Sequence, residues 1–431
     1  MSPAPAIAFV TLGCPKNEVD SDHMAAAVAA SAYRLVESPE DADVVVLNTC
    51  AFIQAATEES IAETFMLLRE WRPARPGRRL IVAGCLPARY GDELRESLHE
   101  PDAFLPVARE GELLDVVSDL TGIPAQSHPG PSRTRPDHTA YLKISEGCDR
   151  GCAYCTIPAI RGRFVSVPAD VVIEEARFLI KGGVRELVLV GQDIARYGAG
   201  PVPAPSLAEL VAELDRLHDD FRLRLMYLQP DGITDELLAV MAASKHVCHY
   251  LDVPLQHASG AVLSAMRRSG DAASHAALLT RVRSALPEVV LRTTVMAGFP
   301  GETDADHEIL ADFLREARFD YVGVFSYSAE EGTVAATKAH QVPDDVKLTR
   351  AQELRDIADE VGFAQTAAYV GSVQHVLIEG EDENGELIGR SCGQAPEVDG
   401  LVIVEGEAPR GEFIDVRITE SIGYDMVGVP A

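Results

Sequence analysis

The stretch 148-CDRGCAYC-155 places three cysteines within eight residues, in the spacing CxxxCxxC. Structural zinc sites usually take four thiolate or imidazole ligands, so three cysteines leave one position of a metal site unfilled. The stretch follows AYLKIS (140–145), an apolar segment that predicts a β-strand. The three cysteines therefore belong to a loop at the end of a strand.

An iron–sulfur cluster accounts for a site with three thiolates. A four-iron cubane held by three cysteines keeps one iron open, and that iron can chelate the amine and carboxylate of S-adenosylmethionine. Electron transfer from the cluster then cleaves the sulfonium and releases a 5′-deoxyadenosyl radical. The alternative is a zinc knuckle that borrows a distant fourth ligand, and the spacing alone does not exclude it.

The chain from 139 to about 328 alternates strand and helix patterns. Six strand candidates are AYLKIS, ELVLVGQ, RLRLMYL, HYLDVPL, VVLRTTVMAG and YVGVFSYS. Helical patterns between and after them cover 168–181, 206–218, 234–243, 259–286, 303–317 and 344–365. Six repeats predict a partial (βα)6 barrel, in which functional loops follow the carboxyl ends of the strands. The cysteine loop follows the first of these strands.

Three more cysteines lie in the N-terminal part. Three apolar runs, IAFVTLG (7–13), DVVVLNTC (43–50) and RLIVAGC (79–85), alternate with helical patterns and predict a doubly wound parallel sheet. Cys14, Cys50 and Cys85 each come just past one of these strands, at the edge where ligand sites gather. A single such cysteine is usually a small buried residue. Three with the same placement favour a second cluster with an open iron.

The C-terminal tail has a different pattern. Short strands separated by glycines and acidic turns predict a small antiparallel β-barrel. The Pro/Gly/Ser-rich segment 121–137 predicts a linker before the barrel. The predicted domains are therefore 5–120, 134–365 and 367–431.

Charge limits the classes of partner. The chain carries 38 basic and 67 acidic residues, a net charge of −29, and the tail holds 13 acidic residues against three arginines, a net charge of −10. Such a chain repels phosphate and attracts basic partners, so nucleic acid is not expected as a substrate. A generally acidic proteome is the alternative explanation. No apolar run approaches the ~20 residues of a membrane helix, and the N-terminus lacks signal-peptide features, which predicts a cytoplasmic protein without membrane contact.

The cysteine loop after the first barrel strand resembles the signature of the radical S-adenosylmethionine superfamily. The resemblance implies that Cys148, Cys152 and Cys155 carry catalysis by holding a 4Fe-4S cluster, and that Tyr154 lies beside the adenine. Gly191, Gln192 and Asp193 stand where that superfamily usually has a Gly-Gly-Glu-like motif for the amino group. A helix N-cap is the alternative for Gln192 and Asp193.

The two cysteine trios, the barrel and the tail together resemble the methylthiotransferase family over nearly the whole chain. Five stretches are similar to its protein-modifying branch: 186–198, 250–259, 292–303, 325–333 and 389–400. The APEVDG sequence within the last of them is the most discriminating. Two departures are Ile194, where threonine is usual, and Gln394, where aspartate is usual.

That resemblance implies the reaction and the cofactors. It implies two 4Fe-4S clusters, S-adenosyl-L-methionine, and methylthiolation of the β-carbon of an aspartate in small-subunit ribosomal protein twelve, a basic protein. An electron donor such as flavodoxin or ferredoxin is expected. The C–H bond attacked is unactivated, so a cofactor must carry the difficult step.

Other side chains have less specific signals. Gln256 and His257 end the fourth barrel strand and could reach the ribose of the nucleoside, although a lone histidine in a loop is more often structural. Gly298, in GFPGET (298–303), could allow close backbone approach to the nucleoside; a tight turn is the alternative. Arg267 and Arg268 could pair with a carboxylate, but a solvated helix face is favoured. Cys248 and Cys392 fit neither trio and are interpreted as ordinary thiols.

Two other functions compete with this interpretation. A tRNA-modifying methylthiotransferase would share both trios and would bind RNA in a salt-sensitive manner. A non-catalytic iron–sulfur protein that docks on the ribosome would share the clusters and the acidic tail but would form no 5′-deoxyadenosine.

Overall fold

A computed structural model describes residues 4–134, 137–201, 204–217 and 220–431. The described residues form two units. The N-terminal unit comprises Met1–Arg135, Glu146–Arg150 and Cys155–Val165, and the C-terminal unit comprises Pro136–Ser145, Gly151–Tyr154 and Ser166–Ala431. The predicted linker contains residues 135 and 136, and the predicted helix 206–218 contains residue 218; these three lie outside the described residues.

The N-terminal unit contains a five-stranded parallel sheet in the order β2-β1-β3-β4-β5. Its strands are β1 (Ala6–Thr11), β2 (Arg34–Leu35), β3 (Val44–Thr49), β4 (Arg79–Gly84) and β5 (Ala103–Pro106). Its helices are α1 (Pro15–Ala29), α2 (Gln54–Met66), α3 (Cys85–Ser97), α4 (Leu113–Thr121) and α5 (Ile157–Arg161). The predicted doubly wound sheet is confirmed, and the short edge strands β2 and β5 were not predicted.

Both faces of this sheet are covered. Every residue of β3 is buried. Val45 packs in one core with Leu94 of α3, and Val46 packs in the other core with Met24 of α1. Because successive side chains of a strand point to opposite faces, a strand covered on both faces has an unbroken apolar sequence.

The first part of the C-terminal unit is the predicted barrel of six parallel strands. They form two three-stranded sheets, joined by an isolated parallel bridge between Leu223 and Val247. The strands are β6 (Thr139–Lys143), β9 (Glu186–Val190), β10 (Arg222–Leu225), β11 (Tyr250–Asp252), β12 (Val290–Ala297) and β13 (Tyr321–Ser326). Two short strands, β7 (Ser145–Glu146) and β8 (Val165–Ser166), lie where the chain passes between the units in sequence.

Seven helices accompany the barrel strands within the described ranges. They are α6 (Ala169–Lys181), α7 (Leu207–Asp215), α8 (Asp235–Ala243), α9 (Gly260–Ala265), α10 (Ala272–Ala285), α11 (Asp304–Ala317) and α12 (Asp344–Ala367). None of the helices that the structure describes has the length and apolar character needed to cross a bilayer.

The prediction of one helix over 259–286 is wrong, because the chain forms α9 and α10 there. Arg267 has a φ of 60° and Gly270 a φ of 111°, and neither conformation continues a right-handed helix. Asp271 then caps α10, since its side chain accepts from the Ser274 amide at 2.8 Å and the Ser274 hydroxyl accepts from the Asp271 amide at 2.8 Å.

The tail forms a closed barrel of five strands in the order β14-β15-β16-β18-β17. They are β14 (Val373–Glu381), β15 (Leu387–Arg390), β16 (Val402–Val404), β17 (Phe413–Ile422) and β18 (Asp425–Pro430). The predicted small barrel is confirmed, but it is not wholly antiparallel, because β16 and β18 pair in parallel. In sequence, β17 lies between β16 and β18 and runs in the opposite direction to β18, so β16 and β18 run in the same direction.

The tail barrel docks on the N-terminal ends of the parallel strands, through a buried ion cluster around Glu186. The Glu186 carboxylate, at the start of β9, lies 2.7 Å from guanidinium nitrogens of Arg222, Arg224 and Arg390. Arg390 belongs to the tail, and its backbone carbonyl accepts a 2.7 Å hydrogen bond from Arg222. Burial raises the pKa of Glu186, but the three guanidinium groups outweigh it and hold that pKa well below the usual range.

The APEVDG segment inserts into the same end of the barrel. Asp399 accepts a 2.6 Å hydrogen bond from the Tyr250 hydroxyl and lies 3.3 Å from the Arg292 guanidinium. Arg292 also pairs with Asp252 of β11 at 3.2 Å. The segment that discriminates best in the sequence therefore joins the tail to the barrel.

Cys248 and Cys392 face each other across this joint. The Cys248 thiol is 1% exposed and hydrogen-bonds to the sulfur of Cys392, while Cys392 is exposed. That hydrogen bond lowers the pKa of Cys392 to about 6, with help from Arg222 and Arg224.

Candidate functional site

The three N-terminal cysteines lie at the carboxyl edge of the parallel sheet. Cys14 follows β1, Cys50 follows β3 and Cys85 follows β4. The chain moves from β1 to β2 on one side and to β3 on the other, so this edge is the topological switch point where open α/β sheets bind ligands. Cys14 caps α1 and Cys85 begins α3, and helix N-termini favour thiolates.

Two glycines allow these loops to approach closely. Gly13 has a φ of 98°, and a Cβ there would lie 2.5 Å from the Cβ of Cys50. Gly84 has a φ of 88°, and a Cβ there would lie 2.1 Å from the Asn48 side-chain oxygen. Each glycine directly precedes a cysteine of the trio, so any larger side chain would push two cysteine loops apart.

Asn17 connects all three loops. Its amide nitrogen donates at 2.9 Å to the carbonyl of Leu12, in the first loop, and to that of Thr49, the last residue of β3 before the second loop. Its side-chain oxygen accepts at 3.8 Å from the thiols of Cys14 and Cys85. Asn17 is fully buried, so these hydrogen bonds are protected from water.

Arg161 reaches the same place from α5. Its guanidinium donates to the Asn17 side-chain oxygen at 2.6 Å and to the Cys85 sulfur at 3.6 Å. Burial raises the pKa of the Cys85 thiol to about 12; Arg161 acts in the lowering direction, and the sulfurs of Cys50 and Cys14 raise the pKa. The three sulfurs are therefore near enough to influence one another electrostatically.

The donors of this site suit an iron–sulfur cluster. Three thiols converge with a buried cation and an amide at a sheet edge, which matches the chemistry of a cluster held by three cysteines. In the described ranges no three His, Cys, Asp or Glu side chains already stand at metal-ligand spacing.

The loop that contains Cys148, Cys152 and Cys155 is fixed by backbone hydrogen bonds. In the N-terminal unit, the Cys148 amide donates to the Gly162 carbonyl at 3.1 Å. In the C-terminal unit, the Ala153 amide donates to the Met266 carbonyl at 2.9 Å. All three cysteines are half-buried. The loop follows β6 and β7 in sequence.

Arg268 is directed at this loop. Its guanidinium donates to the Cys152 sulfur at 3.9 Å, to the Gln229 side-chain oxygen at 2.6 Å and to the Pro254 carbonyl at 2.7 Å. The interpretation of Arg268 as a solvated residue is therefore wrong, while Arg267 is exposed as expected. Gln229 and Pro254 orient the guanidinium toward the sulfur.

The residues predicted to contact S-adenosylmethionine lie in different local environments. Tyr154 is half-buried and packs edge-on against Phe299, with 6.5 Å between ring centroids. Gly191 directly follows β9, and a Cβ there would lie 2.4 Å from the Ser145 hydroxyl. Asp193 is fully buried and stands at the N-cap of the short 3-10 helix Ile194–Arg196, without a side-chain cap.

Glu302 organises the GFPGET loop. Its carboxylate accepts from the amides of Gly298 and Phe299, at 2.7 and 3.1 Å, and pairs with Arg350 at 2.9 Å. A Cβ at Gly298 would lie 2.3 Å from the Lys347 side chain of α12, so helix packing already requires glycine there.

Gln256 and His257 differ in exposure. Gln256 has a φ of 73° and its backbone joins β12, with its amide 2.8 Å from the Thr294 carbonyl. His257 is fully buried; its Nδ1 accepts from the Ser259 amide at 2.9 Å and its Nε2 lies 3.6 Å from Glu302. These contacts account for His257 as a structural residue.

The sequence interpretation overlooked Asn17, Arg161 and Glu302. Asn17 has a local signal, because it stands three residues after Cys14 in the first turn of a helix. Arg161 lies in 155-CTIPAIRGR-163, where a cation closely follows a thiolate site. Asn17 and Arg161 are 144 positions apart in sequence, so no local pattern predicts their contact.

Three family models match consecutive parts of the chain. The uncharacterized protein family UPF0004 matches residues 6–106, the radical SAM superfamily 142–314 and the TRAM domain 370–430. These matches cover the cysteine trios and the tail barrel.

Curated relatives match almost the whole chain. A protein named ribosomal protein uS12 methylthiotransferase RimO, from Syntrophus aciditrophicus, is 42% identical, with 98% of this chain and 97% of that protein covered. A relative of the same name from Geobacter sulfurreducens is 40% identical, with 98% of this chain and 98% of the relative covered. Another, from an Anaeromyxobacter strain, is 43% identical, with 97% of this chain and 92% of the relative covered.

A solved structure shares the fold. The radical S-adenosylmethionine methyltransferase TsrM from Kitasatospora setae, determined with cobalamin and a [4Fe-4S] cluster, superposes with a TM-score of 0.57 at 12% identity. The match covers 86% of this chain and 77% of TsrM.

Proposed function

Because the chain belongs to the family of ribosomal protein uS12 methylthiotransferases named RimO, we propose that it attaches a methylthio group to the β-carbon of an aspartate in ribosomal protein uS12. It is a radical S-adenosylmethionine enzyme that uses S-adenosylmethionine and a 4Fe-4S cluster. The observation that carries this proposal is the identity of about 40% over nearly the full chain, combined with two cysteine trios at the ends of parallel strands.

The domain bounds follow the sequence patterns. Residues 5–120 form the N-terminal methylthiotransferase domain, 134–365 the radical S-adenosylmethionine core and 367–431 the TRAM domain. The position of the tail strands, from Val373 onward, agrees with the last boundary.

Each trio holds one 4Fe-4S cluster, which gives two clusters in total. Cys148, Cys152 and Cys155 hold the first, and Cys14, Cys50 and Cys85 hold the second. When bound, a cluster with an open iron supplies the electron that cleaves S-adenosylmethionine and thereby activates a C–H bond that no acid–base pair could attack.

The side chains around the first trio orient its ligands. Arg268 donates to the Cys152 sulfur and is itself held by Gln229, so it fixes the thiolate and offsets its charge. Glu302 holds the Gly298 and Phe299 amides, and Phe299 supports the Tyr154 ring.

S-adenosylmethionine is bound by the ends of several strands. Tyr154 lies against the adenine, Gly191, Gln192 and Asp193 bind the amino group, and Gln256 and Gly298 border the nucleoside. All six follow the carboxyl ends of barrel strands in sequence, where barrel enzymes bind their ligands.

The tail attracts the substrate protein. Nine of its acidic side chains are exposed: Glu381, Glu383, Glu386, Glu397, Glu405, Glu407, Glu412, Asp415 and Glu420. A basic ribosomal protein is drawn to such a surface, and nucleic acid is repelled. The electron donor is a small redox protein such as flavodoxin or ferredoxin. A ribosomal substrate places the enzyme in the cytoplasm.

Mass spectrometry of the small-subunit ribosomal proteins tests this function. Cells with the gene are expected to carry about 46 Da of added mass on one aspartate of uS12, from replacement of hydrogen by a methylthio group, and deletion of the gene removes it. Complementation with the Cys152→Ala variant is expected not to restore the mass. The matched control is Cys392→Ser, which alters an exposed cysteine outside both trios and restores it.

Other outcomes identify the competing functions. Unchanged uS12 together with loss of a methylthio nucleoside from tRNA would indicate the tRNA-modifying branch. Unchanged uS12 and tRNA, with no 5′-deoxyadenosine formed by reduced protein, would indicate a non-catalytic iron–sulfur protein.

A further inference from the structure

A buried arginine adjoins the N-terminal cysteines. The Arg161 side chain is 2% exposed and lies 3.0 Å from Asp20 and 3.1 Å from Glu146. The same guanidinium contacts Asn17 and Cys85, at 2.6 and 3.6 Å. Arginine has a planar fork of donors that can serve several acceptors at once, and it stays charged when buried.

The two carboxylates fix the direction of the guanidinium. Asp20 is 1% exposed and lies on α1, and Glu146 is 26% exposed and lies in β7. With two anchors on separate elements, Arg161 cannot turn away from Cys85 without breaking its ion pair with the buried Asp20 carboxylate, which is strongly unfavourable.

The segment that contains Arg161 starts at a cysteine of the other trio. Cys155 is six positions before Arg161, and between them the Thr156 hydroxyl donates to the Phe52 carbonyl at 3.0 Å. Ile160 packs in the same apolar core as Cys85. The segment 155–161 is thus seated on the second and third cysteine loops of the N-terminal unit.

A hydrogen bond and a positive charge next to a cluster ligand have known consequences. Donors to ligand sulfurs orient the ligands, and nearby net charge and hydrogen bonds set the reduction potential of the cluster. A fixed cation favours the more negative, reduced form. Removing it therefore makes the potential more negative.

We propose that Arg161 is a positioning residue of the N-terminal cysteine site, which holds Asn17 and Cys85 in place and raises the reduction potential of the cluster bound there. The inference rests on the proposed function, in which Cys14, Cys50 and Cys85 hold a cluster.

The test isolates the N-terminal site. In a full-length background with Cys148, Cys152 and Cys155 replaced by alanine, about four irons per chain are expected after anaerobic reconstitution. A redox titration followed by electron paramagnetic resonance then gives the midpoint potential of that cluster alone. Arg161→Gln is expected to shift the midpoint to a more negative value, and Arg161→Lys, which keeps the charge, to shift it less.

The matched control is another buried arginine of the same unit. Arg78 precedes β4, at the opposite end of that strand from Cys85, and donates to the backbone carbonyls of Trp71 and Glu40. Arg78→Gln removes a buried cation remote from the thiols, and the midpoint potential is expected to stay at that of the background.

A second variant covers the case in which Arg161→Gln does not fold. Arg161→Gln combined with Asp20→Asn removes the cation together with the carboxylate of its most buried partner. Iron retained by this double variant, with a midpoint more negative than that of Asp20→Asn alone, supports the proposal. Loss of iron from both glutamine variants, while Arg161→Lys keeps it and circular dichroism shows folded chains, supports the positioning role.

The outcomes separate this proposal from the proposed function. If the background protein binds no iron, the second cluster of the proposed function is absent. If it binds iron and the midpoint is the same with arginine, lysine or glutamine at position 161, Arg161 has no such role and the two-cluster function stands.

Discussion

Replacing Glu186 by glutamine is expected to lower the free energy of unfolding of the C-terminal unit by ~3–5 kcal/mol, the usual effect of breaking a buried ion pair. The Glu186 carboxylate is 0% exposed and lies 2.7 Å from each of three guanidinium groups. Glutamine keeps the shape but removes the negative charge, so the cations of Arg222, Arg224 and Arg390 lose their shared partner.

The effect depends on pH. The folded-state pKa of Glu186 is far below its unfolded value of about 4.3, so its stabilisation is complete above that value and is lost as the pH falls toward the folded pKa. The stability difference between wild type and Glu186→Gln is therefore expected to be constant from about pH 6 upward and to shrink in acid.

Denaturant unfolding, monitored by circular dichroism at pH 7.5 and at pH 4, measures this difference. The control is Glu213→Gln, since Glu213 pairs with Arg216 on the surface and its side chain is 51% exposed. Exposed pairs contribute less than about 1 kcal/mol. A Glu186→Gln variant as stable as the control would refute the reasoning, because it would mean that the three guanidinium groups are satisfied without the carboxylate.

Three further predictions concern other sites. Gly13→Ala is expected to reduce the amount of iron bound by the N-terminal trio, because the added Cβ would enter the neighbouring cysteine loop. The control is Gly111→Ala, which is expected to bind iron normally because no atom lies within 4 Å of its added Cβ. Iron analysis of the reconstituted proteins measures the difference. Burial raises the pKa of Asp320 to about 6, so its carboxylate destabilises the fold as the pH rises through that value. Asp320→Asn is expected to gain about 2–3 kcal/mol above pH 7 and nothing near pH 4 in denaturant unfolding, and an equal gain at both values would contradict this. Tyr250→Phe removes the 2.6 Å hydrogen bond to Asp399 and is expected to lower the free energy of unfolding by ~1–3 kcal/mol in the same assay. An unchanged free energy of unfolding would contradict this and would mean that water replaces the hydroxyl.

The strands were predictable because a strand that is buried on both faces has a local run of apolar residues. In β3 all six residues are buried, so the apolar run stands out. The placement of Cys14, Cys50 and Cys85 at the edge of the sheet was predictable for the same reason, since each comes just after a strand made of such a run. The short edge strand β2 has two residues and no comparable signal.

Long-range contacts were not predictable from one sequence. The break between α9 and α10 depends on Arg267 in a left-handed conformation, which an arginine rarely adopts. The hydrogen bond from Arg161 to Cys85 joins residues 76 positions apart. The contact of Arg161 leaves no periodic or compositional pattern, so only the folded chain reveals it. The break has a local signal in Gly270 and the capping residue Asp271, which the prediction of one helix did not use.

The joint between tail and barrel limits how this enzyme can diversify. Arg390, Ser391, Cys392 and Asp399 of the tail all satisfy charged or polar groups at the barrel floor. A recombination event that exchanged the tail alone would leave those barrel groups without their tail partners. The tail and the N-terminal ends of the barrel strands must therefore be inherited together. Variation in partner choice is then confined to the outward-facing strands of the tail, which can drift without disturbing the joint.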